Sequence, residues 1–196
     1  MPEPAPSVSA HALFQQPWPE GDYRFFQLGF LVDDLTETAK RWVGTFGIGP
    51  FHVLPRVESP CLYRGVESKI DQQVAVAQAG PVQIELIQQF CDRPSVYRDL
   101  YGPGESGFHQ ICTVTPDYDA RKAHLEARGY AFAGELRVGR QRIGYFDTFA
   151  DFGFVTEVAE AVPGFLEQLA EIAATAARWD GTDPIRLLTR DGYRVP

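Results

Sequence analysis

The chain says nearly the same thing twice. The run Phe26-Gln27-Leu28-Gly29-Phe30-Leu31-Val32-Asp33-Asp34-Leu35 lays against His109-Gln110-Ile111-Cys112-Thr113-Val114-Thr115-Pro116-Asp117-Tyr118. In each copy a polar amide stands near the start of a short apolar strand, an Asp-containing turn follows, and a helix-patterned stretch comes next. Two copies of roughly 80 residues are too few and too long for a solenoid. The repeat therefore predicts a duplicated α+β module.

Each copy can be read strand by strand. Tyr23 to Val32 is apolar and aromatic, and Asp34 with Glu37 three residues later makes a helix start close to a capping box. Leu35, Ala39, Trp42, Val43 and Phe46 follow at helical spacing, and Gly47 with Gly49-Pro50 ends the helix. Phe51, Val53 and Val57 read as a short strand broken at Pro55. Lys69 to Ala77 and Val82 to Gln88 read as two more strands, turned at Gly80-Pro81. The second copy starts at Phe108. A helix is expected from Pro116 to Gly129, with extended pieces at 130–132, 135–138, 141–146 and 154–159.

These readings divide the chain into an N-terminal arm (1–22), a first βαβββ module (23–90), a connector (91–107), a second βαβββ module (108–160) and a C-terminal helix with its tail (161–196). A helical turn is expected at Val96 to Leu100. The last helix is expected from Gly164 to Arg178, with Phe165, Leu169, Ile172, Ala173 and Ala176 on one face. The arm is rich in Pro and Ala and carries His11, with Phe14 and Trp18 placed to pin its end to the body.

Composition narrows the partners. A net charge of −8 without a Lys/Arg cluster argues against nucleic acid, because phosphate binding draws on concentrated positive charge. Cys61, Cys91 and Cys112 are an odd, widely spaced set, which argues against a disulfide framework and a cysteine zinc site. No apolar window is long enough to cross a bilayer, and no secretory pattern opens the chain, so a cytoplasmic location is expected. The 14 Phe, 8 Tyr and 3 Trp fill a large core or line a wide cavity.

The candidate chemistry lies in mid-strand polar residues. Side chains alternate across a strand, so Gln27 and Gly29 share a face, as do Gln83 and Glu85, Gln110 and Cys112, and Val155 and Glu157. Glu85 and Glu157 sit centrally in apolar runs. A carboxylate facing a core is costly unless it is paired or holds a metal, whereas one facing water costs little. The recurrence of both Glu and Gln at equivalent places in a duplication favours a shared inner site. Asp71 on the preceding strand, His52 at a strand start and Tyr145 are further candidates, against ordinary surface or packing roles for each. His124 reads as solvated.

With Gln27-Leu28-Gly29-Phe30-Leu31-Val32-Asp33-Asp34-Leu35, Gln83-Ile84-Glu85-Leu86-Ile87, Gly107-Phe108-His109-Gln110-Ile111 and Phe154-Val155-Thr156-Glu157-Val158 in this order, the chain resembles the vicinal-oxygen-chelate superfamily over about residues 24 to 160. That superfamily includes glyoxalase I, methylmalonyl-CoA epimerase, extradiol dioxygenases and bleomycin-resistance proteins. The resemblance implies two tandem βαβββ modules forming a half-open barrel around a divalent metal. Carried over by position, the ligands are Gln27, Glu85, Gln110 and Glu157, with His109 as the substitute where Gln110 stands in place of the usual His.

An all-oxygen set suits Mg, Mn or Ca, and a His favours Zn, Ni, Co or Fe. The metal-free alternative stays open. The implied function is a metal-assisted lyase or isomerase passing through an enolate-type intermediate. Glu157 and Asp71 would be the catalytic groups, His52 and Tyr145 would meet a small-molecule substrate, and the protein would be a homodimer. The alternative is a metal-free or cofactor-independent protein holding a hydrophobic or aromatic small molecule. Extradiol chemistry fits poorly, because both first-strand ligand positions hold Gln.

Overall fold

The computed structural model describes residues 25–189 and 192–194. The expected N-terminal arm, with His11, Phe14 and Trp18, lies outside the described residues.

The first half runs β1 (Phe25–Leu31), α1 (Leu35–Phe46), β2 (Phe51–Val53), β3 (Val57–Tyr63), β4 (Val66–Ala79) and β5 (Val82–Gln89). The second runs β6 (Gly107–Thr115), α2 (Tyr118–Ala127), β7 (Phe132–Val138), β8 (Gln141–Phe146), α3 (Phe149–Phe152) and β9 (Val155–Glu160). After them come α4 (Pro163–Ala177), β10 (Ile185–Thr189) and β11 (Gly192–Arg194). No helix among the described residues is long and apolar enough to cross a membrane.

Local chemistry explains the helix ends. Asp34 caps α1 by accepting from the Glu37 amide at 2.9 Å, and Gly47 closes it in the left-handed conformation at φ 65°. α2 begins at Tyr118 rather than at Pro116, and Asp117 caps it by accepting from the Ala120 amide at 3.0 Å. The stretch read as broken at Pro55 is two strands, β2 and β3, because a proline lacks the N–H a ladder needs. The polar, turn-rich tail after α4 supplies β10, which pairs in parallel with β2, and β11 beside it.

The sheet curves back on itself. Hydrogen bonding runs β4-β3-β7-β8-β9-β6-β1-β5, and β5 pairs again with β4, so eight strands make a barrel-like circuit with β2, β10 and β11 as a side branch. β4 makes this closure possible by its length: its first part pairs with β3 and its second with β5. The two halves meet along β1 and β6, which are antiparallel, while β1–β5 and β6–β9 are parallel. On the outer side α1 buries Leu35 and Ala39 against Phe51, Ala75, Ala77 and Leu86. A second core, including Leu31, Ile87, Tyr97 and Tyr145, fills the inside.

Candidate functional site

Register brings the mid-strand polar residues together. Val76, Glu85, Gly29 and Gln110 are successive partners across β4, β5, β1 and β6. Cross-strand partners point to the same face, so Glu85 and Gln110 flank Gly29 on the inner side. Glu157 on β9 is the partner of both Cys112 and Tyr145.

Gly29 is what lets the two sides touch. A Cβ there would lie 2.5 Å from Gln110 Cγ and 2.8 Å from its Cδ, so the Gln110 side chain lies over the bare glycine backbone. Its amide nitrogen lies 3.1 Å from Glu85 Oε2 and also contacts Glu157 Oε2. The other oxygen of Glu157 accepts from the Cys112 thiol at 3.0 Å. Glu157 and Gln110 are buried and Glu85 is half-buried.

Burial raises both carboxylates. It pushes Glu157 up to about 7, with hydrogen bonds from Cys112 and Tyr145 pulling the other way. Burial and the nearby Glu157 push Glu85 well above the usual carboxylate range, with the Gln110 amide opposing. Two carboxyl groups so placed titrate as a pair and resist double ionisation. Burial likewise pushes Tyr97, Tyr145 and Cys112 upward, which keeps all three neutral donors.

The next layer fixes what Gln110 presents. His109 Nε2 lies 3.0 Å from the Val96 carbonyl, which can only accept, so that nitrogen carries a proton. His109 Nδ1 lies 2.6 Å from Gln110 Oε1. Burial lowers the His109 pKa despite these contacts, which favours the neutral ring, whose Nδ1 is an acceptor. Two acceptors facing each other are relieved when the Gln110 amide makes a half-turn. Its NH2 then donates to Nδ1 and its oxygen joins the carboxylates of Glu85 and Glu157. That oxygen cluster requires a shared proton or a cation.

The residues therefore fit a hard, oxygen-seeking cation. Glu85, Glu157 and, after that half-turn, the Gln110 amide would supply oxygens, and Gln27 lines the cavity with its amide nitrogen 3.5 Å from Gln83 Oε1. Among the described residues no three His, Cys, Asp or Glu side chains form a metal-ligating group, so such a set depends on amides. His109, the expected substitute ligand, faces Val96 and Gln110 and braces the amide instead.

The remaining expected site residues separate. Tyr145 lines the cavity, and its hydroxyl is 3.0 Å from that of Tyr97. Asp71 does not join the cluster. Alternation along β4 sends Gln72 to the cavity and leaves Asp71 to a two-point ion pair with Arg56, whose guanidinium lowers its pKa. His52 shares the inner face with its partner Val76, yet it packs edge-on against Tyr193 and is absent from the cavity lining. Burial and Arg186 lower its pKa to about 4.

Sequence reading passed over several contributors. Gln72 has a buried Oε1 without a partner, while its Nε2 donates to Ser59. Tyr97 sits on the connector turn, where no periodicity marked it as facing inward. Cys112 was findable, because it shares a face with Gln110 two residues along.

The cavity above these groups holds about 120 Å³. Val74, Leu136 and Ile143 form apolar walls, and Phe165, Leu169 and Ile172 of α4 form a roof.

Comparisons with known proteins bear on the family and the fold. A family model described as the glyoxalase/bleomycin resistance protein/dioxygenase superfamily matches residues 26–146. The crystal structure of methylmalonyl-CoA epimerase from Mycobacterium tuberculosis is 16% identical, covering 79% of this chain and 99% of its own, with a TM-score of 0.52. A variant of the Streptomyces coelicolor methylmalonyl-CoA epimerase in complex with 2-nitronate-propionyl-CoA is 19% identical, covering 72% of this chain and 96% of its own, with a TM-score of 0.50. A hypothetical protein from Bacillus halodurans C-125 is 13% identical over 71% of this chain and 94% of its own, also at 0.50. At these identities the likeness is one of fold. No curated protein matches the sequence.

Proposed function

Because the chain belongs to the glyoxalase/bleomycin resistance protein/dioxygenase superfamily, the vicinal-oxygen-chelate proteins, we propose that it is a metal-assisted isomerase or lyase acting on a small organic molecule through an enolate-type intermediate. The observation that carries this reading is the convergence of Glu85 and Glu157, which line a cavity, on one buried amide, Gln110. A buried carboxylate titrating near 7 is suited to take a proton from carbon and return it at neutral pH. Glu157 is the base in this reading, receiving the proton at Oε2 while Cys112 holds Oε1. The neutral hydroxyls of Tyr97 and Tyr145 orient the substrate oxygen. Asp71, held outside by Arg56, takes no part.

A divalent cation held by Glu85, Glu157 and the amide oxygens of Gln110 and Gln27 would supply Lewis-acid polarisation of the substrate carbonyl oxygen. In the same reading the two halves are tandem duplicated units opening their inner faces on one shared, half-open hollow. The repeated β1–β5 and β6–β9 parallel pairs support that view.

Exchange of α-protons for deuterium in a small ketone, followed by NMR, tests the chemistry. Exchange is expected in the wild type and lost in Glu157→Gln. Unchanged exchange in that variant sinks the assignment of the base. The apolar walls keep a second reading in view, a binding protein that needs no metal. Ligand affinity unaltered by a chelator, together with absent exchange, would select it.

A further inference from the structure

The walls of the cavity say what kind of molecule it takes. No Lys, Arg or His side chain is among the residues lining it, and its floor carries two carboxyl groups. Two carboxylates at most balance a divalent cation, so the floor has no surplus positive charge with an ion or without one. An anionic ligand would lose its hydration there without a counter-charge, which is costly in a low-dielectric site.

The size and the roof add to this. An apolar cavity of about 150 Å³ holds a benzene ring, and here about 120 Å³ lies beneath Phe165, Leu169 and Ile172 in a hollow partly open to solvent. α4, like β9, lies beyond residue 146, where the family match ends. Besides the two carboxyl groups, the polar side chains lining it are neutral: Tyr97, Tyr145 and five glutamines, among them Gln72 with its unpartnered Oε1.

We propose that this site takes a compact, uncharged, largely apolar molecule with one oxygen-bearing head, of the class of a cyclic or short-chain ketone, and rejects acyl groups that carry a carboxylate. The proposal rests on the site reading above and narrows it. The head meets the carboxyl and tyrosine floor, and the hydrocarbon part fills the space under α4. Leu169 limits the length of that part.

Cyclohexyl methyl ketone and cyclohexanecarboxylate are matched probes, equal in bulk and differing in charge. NMR titration of the full chain at pH 7.5 is expected to show the ketone binding at least tenfold more tightly. Leu169→Trp should abolish ketone binding, and Leu169→Ala should admit 4-tert-butylcyclohexanone, which the wild type excludes. Circular dichroism confirms that each variant is folded. Equal or tighter binding of the carboxylate, binding of neither probe, or ketone binding indifferent to both Leu169 variants overturns the proposal. Ketone binding without α-deuterium exchange leaves the ligand class standing and removes only the enolisation chemistry.

Discussion

Gln110 lies directly over Gly29, so closely that a methyl group on the glycine would fall 2.5 Å from Gln110 Cγ. The bare backbone of β1 is the gap through which an amide on β6 reaches a carboxylate on β5. Gly29→Ala is therefore expected to destabilise the protein by about 1–3 kcal/mol, the usual cost of overpacking a core. Gln110→Ala in the same chain should recover much of that loss. Urea unfolding of the single and double variants measures both, and an undisturbed midpoint in Gly29→Ala would contradict the packing.

Glu157 sets a pH dependence whose sign follows from its burial. Its folded pKa, about 7, lies above the ordinary carboxylate value it regains on unfolding. Between those values the unfolded chain releases a proton that the folded chain keeps, so stability falls as pH rises through this window. Glu157→Gln has no such proton. In chelator-treated protein it should gain stability over the wild type at pH 8 and gain little at pH 4, as read from urea midpoints.

Cys112 holds Glu157 Oε1 by a thiol donor with no room for solvent. Removing that donor in Cys112→Ala leaves the carboxylate less supported, so its pKa should rise. The pH profile of deuterium exchange should shift to higher pH while the fold persists. Cys112→Ser, which keeps a donor, should restore the profile.

The pair Arg56–Asp71 gives the opposite expectation. The contact is close and two-pronged, but it lies on the surface, where ion pairs contribute little. Asp71→Asn should leave exchange within about twofold of wild type, since an effect on the chemistry would need Asp71 in the cavity. A tenfold loss would return the residue to the site.

Much of this was legible before any coordinates. Asp34 and Glu37 announced the start of α1 and Gly47 its end, the twice-written strand marked Glu85, Glu157 and the two Gln as recurring, and the superfamily resemblance grouped them into one set. What escaped notice depends on distant parts of the chain. Asp71 and Gln72 are neighbours in sequence, and only the register of β4 against β3 and β5 decides which one looks inward. Tyr97 reaches the floor from an irregular turn. β10 takes its meaning from β2, some 130 residues earlier, and a five-residue strand at the end of a polar tail has no local signal strong enough to show it. The half-turn of Gln110 follows only from the Val96 carbonyl beyond His109.

The account stands on Glu85 and Glu157 being one coupled pair. Carbon-13 NMR of side-chain-labelled glutamate, followed against pH in chelator-treated wild type, Glu85→Gln and Glu157→Gln, reads that coupling directly. The prediction is one carboxyl titrating near neutrality in the wild type and a lower pKa for the survivor once its neighbour is neutral. Two independent titrations in the ordinary carboxylate range, unmoved by either substitution, would contradict it.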